Sequence, residues 1–208
     1  MTTASSPFSE LILATSNPGK LREFRAILAD LPVALRSLAD FPGVRLPGEG
    51  DDYQENAAGK ARAIAAATGR AALADDSGIE VAALGGLPGP HSARFGGPAL
   101  DDAGRVKKLL ADLAATGESD RSARFVCVAA LALPDGEVIT ARGECAGRIL
   151  DAPRGGRGFG YDPIFQAEGK DVSMAELPPA EKDLISHRAR ALRALRGVIQ
   201  RRIASVSS

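Results

Sequence analysis

The strongest constraint lies near the start of the chain, where one hydrophobic period gives way to another. Leu11-Ile12-Leu13-Ala14 is a short apolar run, bounded at once by Thr15-Ser16-Asn17-Pro18-Gly19. A run of that length closed by turn-forming residues reads as a buried strand entering a loop. Past Lys20 the apolar residues fall at Leu21, Phe24, Leu28 and Leu31, in steps of three and four. That spacing predicts an amphipathic helix ended by Pro32. A strand, a tight turn and a helix make the opening unit of an α/β domain.

The pattern recurs. Phe41 to Asp52 is rich in Pro and Gly and reads as loop or edge, and residues 55–67 form an alanine-rich helix that Gly69 can terminate. Ala71 to Ala74 is a second short strand, running into Asp75-Asp76-Ser77-Gly78; Ile79 to Leu84 continues apolar before a Gly-Pro loop over 85–90. Asp101 is placed to cap a helix carrying Val106, Leu109, Leu110 and Leu113, stopped at Gly117. Phe125 to Leu133 is the most strand-like stretch, and Pro134-Asp135-Gly136 turns it into Val138 to Ile149 as a hairpin. The C-terminal third is expected to be helical, with Leu184, Arg188, Leu192, Leu195, Ile199 and Ile203 on one face. The expected architecture is α/β, mixed α+β, with a short N-terminal extension (1–10) before one domain over 11–203. There is no internal repeat.

Charge narrows the function classes. Lys plus Arg number 26 and Asp plus Glu 26, with a sequence pI near 6.7. A duplex-binding domain draws most of its affinity from phosphate neutralisation and shows a basic surplus, so no nucleic-acid partner is expected. The basic run from Arg188 to Arg202 reads as a solvated helix face. No apolar run approaches the roughly 18 residues of a membrane span. Met1 to Glu10 is polar, without the layout of a signal peptide. Cys127, inside Phe125-Val126-Cys127-Val128, reads as a buried small hydrophobe. A soluble, reduced, cytoplasmic protein is expected.

Four stretches carry chemistry. Thr15-Ser16-Asn17-Pro18-Gly19-Lys20 lies between strand and helix, where backbone N–H groups and the helix dipole attract anions and Lys20 adds a cation for phosphate. It is not a P-loop: the positions that would need Gly and Ser or Thr hold Ala14 and Leu21. Asp75 and Asp76 are adjacent on a strand and so face opposite sides, which gives them different jobs. One can serve as a Mg²⁺ ligand or general base. In Gly155-Gly156-Arg157-Gly158-Phe159-Gly160-Tyr161-Asp162-Pro163, glycines let the backbone approach a flat ligand while Phe159 stacks on it. Ser186-His187-Arg188 places two basic groups in the first turn of a helix, against the dipole, a cost that suits an anionic or carbonyl-bearing ligand. Together these features suit a nucleoside triphosphate.

The same residues, with Glu55-Asn56-Ala57, Lys60-Ala61, Leu84 to Gly89, Ser92-Ala93-Arg94 and Glu181-Lys182, occur in an order that resembles the inosine/xanthosine triphosphate pyrophosphatases, the Ham1-like family. The likeness runs from about residue 11 to about 195. It implies a mixed twisted sheet flanked by helices, two lobes with a central substrate cleft, and a homodimer. It implies hydrolysis of XTP, ITP or dITP to the monophosphate and pyrophosphate, with Mg²⁺, as a house-cleaning step on the nucleotide pool. Carried over by position, Thr15, Ser16, Asn17, Pro18, Gly19 and Lys20 would hold the triphosphate, with Lys60 nearby. Asp76 would ligate Mg²⁺ and act as base, and Ser77 would contact substrate. Phe159, Gly160, Tyr161 and Asp162 would form the base-and-sugar pocket, completed by Lys182, His187 and Arg188. The family carries a further glutamate ahead of its Phe-x-Glu-Asn stretch; Glu49 is the nearest acidic candidate, and Tyr53 stands in place of the Phe. A non-catalytic purine nucleotide sensor is the alternative that the same motifs allow.

Overall fold

The computed structural model describes residues 10–204, so the expected N-terminal extension lies outside the described residues except for Glu10. The described chain divides into two compact units, residues 10–76, 128–143 and 188–204 in the first and 77–127 and 144–187 in the second.

In the first unit, β1 (Glu10–Leu13) pairs in parallel with β2 (Ala34–Ser37) on one side and with β3 (Ala71–Val81) on the other, with Leu11 opposite Ala71 and Leu13 opposite Leu73. The helices α1 (Pro18–Ile27) and α2 (Tyr53–Thr68) supply the crossovers that parallel strands require. Leu11, Ile12, Leu13, Ala71, Ala72 and Leu73 are all fully buried, as expected of strands covered on both faces. Asn17 caps α1, its side chain accepting from the Lys20 N–H at 3.1 Å, with Pro18 in the first turn. The helix closes at Leu28, a turn before Pro32, so that proline stands beyond the end rather than making it. Asp52 caps α2, and Gly69 ends it in the left-handed conformation at φ 64°. Ala57, Ala61 and Ala65 are buried along α2, where small side chains allow close approach.

The expected break after Ala74 does not occur. β3 runs unbroken through Asp75, Asp76, Ser77 and Gly78 to Val81. The reason is that both carboxylates find cations, so the strand carries them without needing a turn.

The second unit contains the C-terminal part of β3, with β4 (Pro88–Gly89) antiparallel to it, and α3 (Asp102–Ala115). β5 (Ser122–Ala132) and β6 (Val138–Ile149) contribute to both units, and β7 (Phe165–Ala167) pairs antiparallel with β6. The β5–β6 turn falls at Pro134-Asp135-Gly136 as expected, closed by the Leu133 N–H on the Glu137 carbonyl at 2.9 Å. Asp101 caps α3 by accepting from the Gly104 N–H at 2.8 Å. The core of this unit gathers Ile79, Val106, Leu109, Phe125, Ile149 and Phe165, with Phe125 and Phe165 edge to face at 4.6 Å between ring centres. Cys127 and Cys145 are both buried, and neither is in a disulfide.

The C-terminal helix is two helices. α4 (Pro179–Ile185) ends at Ser186, and α5 (His187–Ala204) begins directly after it. Leu184 therefore belongs to α4 and is 65% exposed, whereas Arg188, Leu192, Leu195 and Ile199 form the buried stripe of α5. No described helix is long and apolar enough to cross a membrane.

Gly78 is where the backbone is most tightly hemmed. A Cβ there would lie 2.0 Å from the Gly89 carbonyl oxygen and 2.7 Å from Ser92 Oγ. That hydroxyl donates to the Gly89 carbonyl at 2.7 Å and accepts from the Ile79 N–H at 2.8 Å, locking β3 and β4 together. Gly78→Ala is expected to destabilise by about 3 kcal/mol, lowering Tm by roughly 6–12 °C in a thermal melt. An unchanged Tm would contradict this packing.

Candidate active site

The first unit assembles its charged groups around β3. Asp75 faces one side. Its Oδ2 accepts from Arg188 Nε at 3.0 Å and from a second guanidinium nitrogen at 2.9 Å, and its Oδ1 is 3.0 Å from Lys20 Nζ. The remaining arm of Arg188 bonds to Glu23 on α1. Arg188, Asp75 and Glu23 are all essentially inaccessible to solvent, at 1%, 0% and 1% of side-chain surface. A buried guanidinium needs its full complement of acceptors, and here two carboxylates flank it. Glu23 is not among the sequence-predicted residues, although an acidic residue beside Phe24 on the inner side of an amphipathic helix is a readable sign of a buried partner.

Asp76 faces the other side. Its Oδ2 accepts from Asn56 Nδ2 at 2.9 Å and its Oδ1 from Lys60 Nζ at 3.2 Å. Lys60 also donates to Glu49 at 2.5 Å, so one ammonium joins two carboxylates. Asn56 holds the segment that carries Glu49, accepting from the Gly50 N–H at 2.7 Å and donating to the Gly50 carbonyl at 3.1 Å. The local charge is negative in excess. Burial raises the Asp76 carboxyl above its ordinary value by more than Lys60 and Asn56 lower it. For Lys60, burial works against the charge, but Asp76, Asp75 and Glu49 outweigh it and hold the ammonium above its ordinary range.

The start of α1 lies in the same unit, tied to β3 through Lys20 and Asp75. Thr15 is buried and its hydroxyl accepts from the Asn17 N–H at 3.2 Å; Ser16, Asn17 and Pro18 are exposed, and Gly19 and Lys20 half-buried. The first turn of α1 contains no acidic residue, leaving the positive end of the dipole for an anion.

Could these residues hold a divalent cation? Two carboxylates, Asp76 and Glu49, converge on one lysine, and the cluster has unbalanced negative charge. Among the described residues no group of three or more His, Cys, Asp or Glu side chains forms a closed cage. Mg²⁺ takes one or two carboxylates and completes its shell with waters and substrate phosphates, so this donor set fits it.

The second unit gathers a different set. Asp162 is buried, and its Oδ2 accepts from the Phe159 N–H at 2.9 Å and from Lys182 Nζ at 2.5 Å. The same ammonium sits 4.9 Å from the centre of the Phe159 ring, a cation–π contact. Phe159 and Gly160 are half-buried on their loop, with Gly160 at φ 60°. Tyr161 points into the core and donates its hydroxyl to the Ser92 carbonyl at 2.9 Å. Burial pushes its phenol up, so it stays a donor. His187 is buried, its ring stacked on Phe125 at 4.7 Å and 12°. Ser77 is half-buried on β3. Of the sequence-predicted residues, Lys20, Asp76 and Arg188 thus share the first unit, and Phe159, Asp162 and Lys182 meet in the second.

The model of the Ham1 family matches residues 11–198. The dITP/XTP pyrophosphatase of Syntrophobacter fumaroxidans is 50% identical over 183 residues, covering 88% of this chain and 78% of that protein. That of Shouchella clausii is 45% identical over 92% of this chain and 97% of its own length. Among solved structures, a HAM1 protein from Coxiella burnetii superposes with a TM-score of 0.84 at 42% identity, covering 92% of this chain and 98% of its own. A nucleoside-triphosphatase, dITP/XTP pyrophosphatase, from Mycobacterium abscessus does so with a TM-score of 0.72 at 44% identity, over 89% and 98%. With a family model spanning nearly all of it and relatives this similar over most of their length, the chain belongs to the Ham1 family.

Proposed function

We propose that this protein is a nucleoside triphosphate pyrophosphatase that hydrolyses XTP, ITP and dITP to the monophosphate and pyrophosphate. The observation that carries the reading is the Asp76 cluster: a buried carboxylate held by Asn56 and Lys60, with Glu49 on the same lysine. The names of the relatives, dITP/XTP pyrophosphatase, support two of these substrates, dITP and XTP.

The reaction breaks the bond between the α- and β-phosphates by attack of water. Asp76 Oδ takes the water's proton as general base. Mg²⁺, held by Asp76 with Glu49, would offset charge on the triphosphate. Lys20 and the N–H groups at the start of α1 bind the phosphates, with Thr15, Ser16, Asn17, Pro18 and Gly19 shaping the turn. Lys60 keeps Asp76 ionised against the cost of its burial. Ser77 contacts substrate at the next residue along the strand.

On the base side, Phe159 stacks on the purine and Gly160, Tyr161 and Asp162 shape the pocket. Lys182 and His187 complete it, while Arg188, carried into this pocket by the resemblance, is instead buried against Asp75 and Glu23 and holds that strand. Selectivity rests on the 6-position. A pocket of donors pairs with an oxo group and leaves donors unpaired against the amine of ATP, a mismatch worth up to about 10⁴-fold. We also propose, from the resemblance, that the enzyme is a homodimer and works in the cytoplasm.

Asp76→Asn should lower turnover of ITP by about 10²- to 10⁴-fold while leaving nucleotide binding largely intact, as read by pyrophosphate release and calorimetry. Retained activity would refute the catalytic assignment. For Lys20→Ala the KM for ITP should rise by about 10-fold or more, because a charge-assisted phosphate contact is lost. An unchanged KM would count against the phosphate role.

A further inference from the structure

The loop from Arg154 to Pro163 is held more by hydrogen bonds than by packing. Arg154 to Gly158 are exposed, and Phe159 borders a cavity of about 490 Å³ lined also by Asp102, Val106, Leu110, Pro153 and Arg157. Gly155, Gly158 and Gly160 all adopt positive φ, at 79°, 75° and 60°. A Cβ on Gly158 would lie 2.1 Å from Asp162 Oδ2, so the backbone folds directly against that carboxylate.

Among the bonds that fix the segment around Phe159, three involve its backbone N–H groups and distant or local acceptors. The Arg157 N–H donates to the Ala175 carbonyl at 3.0 Å, and the Phe159 N–H to Asp162 at 2.9 Å. The third reaches another element: the Gly160 N–H donates to Asp102 Oδ2 at 2.8 Å, across 58 residues of sequence. Asp102 stands in the first turn of α3, where the dipole favours a carboxylate, and its Oδ1 pairs with Arg105 at 3.2 Å. The helix does not need Asp102 for its start, since Asp101 already supplies the cap.

We infer that Asp102 is a positioning residue for purine selectivity: by holding the Gly160 N–H it sets where the Phe159 ring stands. This rests on the reading in which Phe159 stacks on the base. A ring that borders a cavity on one side can shift when its backbone is released, and a looser ring stacks alike on wanted and unwanted purines. Asp102 lines the same cavity as Phe159, so the double variant is what separates an effect through the ring from a direct one.

The test compares wild type, Asp102→Ala, Asp102→Asn, Phe159→Ala and the Asp102→Ala/Phe159→Ala double variant. For each, kcat/KM is measured with ITP and with ATP, and amide exchange is followed at Gly160. Asp102→Ala should cut the ITP-over-ATP preference about fivefold, mainly by raising KM for ITP, and speed exchange at Gly160 about tenfold. Asp102→Asn keeps an acceptor and should stay within about twofold of wild type, and with Phe159 already Ala the Asp102→Ala change should have no more than about a twofold effect. An unchanged preference in Asp102→Ala would overturn the inference. So would a loss of equal size without Phe159, a failure of Asn to rescue, or unaltered exchange at Gly160. Wild type that leaves ITP intact would instead overturn the reading of function, and with it the selectivity role, while the exchange data still report on the tether.

Discussion

Two neighbouring carboxylates on one strand set the terms for the first unit. Alternation along β3 sends Asp75 and Asp76 to opposite sides, and each must find cations there, because an uncompensated buried charge costs several kcal/mol. On one side Arg188 and Lys20 answer Asp75, with Glu23 behind the arginine. On the other, Asn56 and Lys60 answer Asp76, with Glu49 behind the lysine. The two arrangements differ in access. The first is nearly closed, with Arg188, Asp75 and Glu23 at most 1% exposed and Lys20 at 18%, whereas Glu49 retains 31%. A nearly closed, balanced group suits scaffolding, and an accessible group with surplus negative charge suits a cation and a water. In the proposed function the strand thus carries a structural aspartate and a reactive one side by side.

The second unit relies on a different device. Aromatic residues are scarce in this chain, at 4%, and the unit spends several of them on packing: Phe125 against Phe165 and against the His187 ring, and Tyr161 in the core. Phe159 is the one in its loop that stays half-buried, with an ammonium over its ring and a carboxylate under its own N–H. Glycines on either side make that placement sterically allowed, and polar bonds make it definite.

Much of this was legible in the sequence wherever the cause is local. The strand-to-helix corner at Thr15–Lys20, the Asn17 and Asp101 caps and the turn at Pro134-Asp135-Gly136 all depend on residues a few positions apart. The opposite facing of Asp75 and Asp76 followed from strand geometry alone. What escaped was set by distant partners. β3 looked interrupted at its doublet because Arg188 lies 113 residues away and Asn56 and Lys60 sit on another helix. The C-terminal apolar stripe was extended back to Leu184 because periodicity continues across the break at Ser186. β2, only four residues with alternating polarity, exists through its pairing with β1. Asp102 resembled an ordinary first-turn acid, and its bond to Gly160 cannot be read from spacing.

The central claim is that one water molecule cuts a purine triphosphate between its first two phosphates, and that the base decides which triphosphate is cut. Phosphorus NMR of reaction mixtures with Mg²⁺ and either ITP or ATP addresses both halves at once. The account predicts inosine monophosphate and pyrophosphate as the sole early products, with ATP consumed far more slowly. Orthophosphate as the first product, or equal consumption of the two nucleotides, would contradict it.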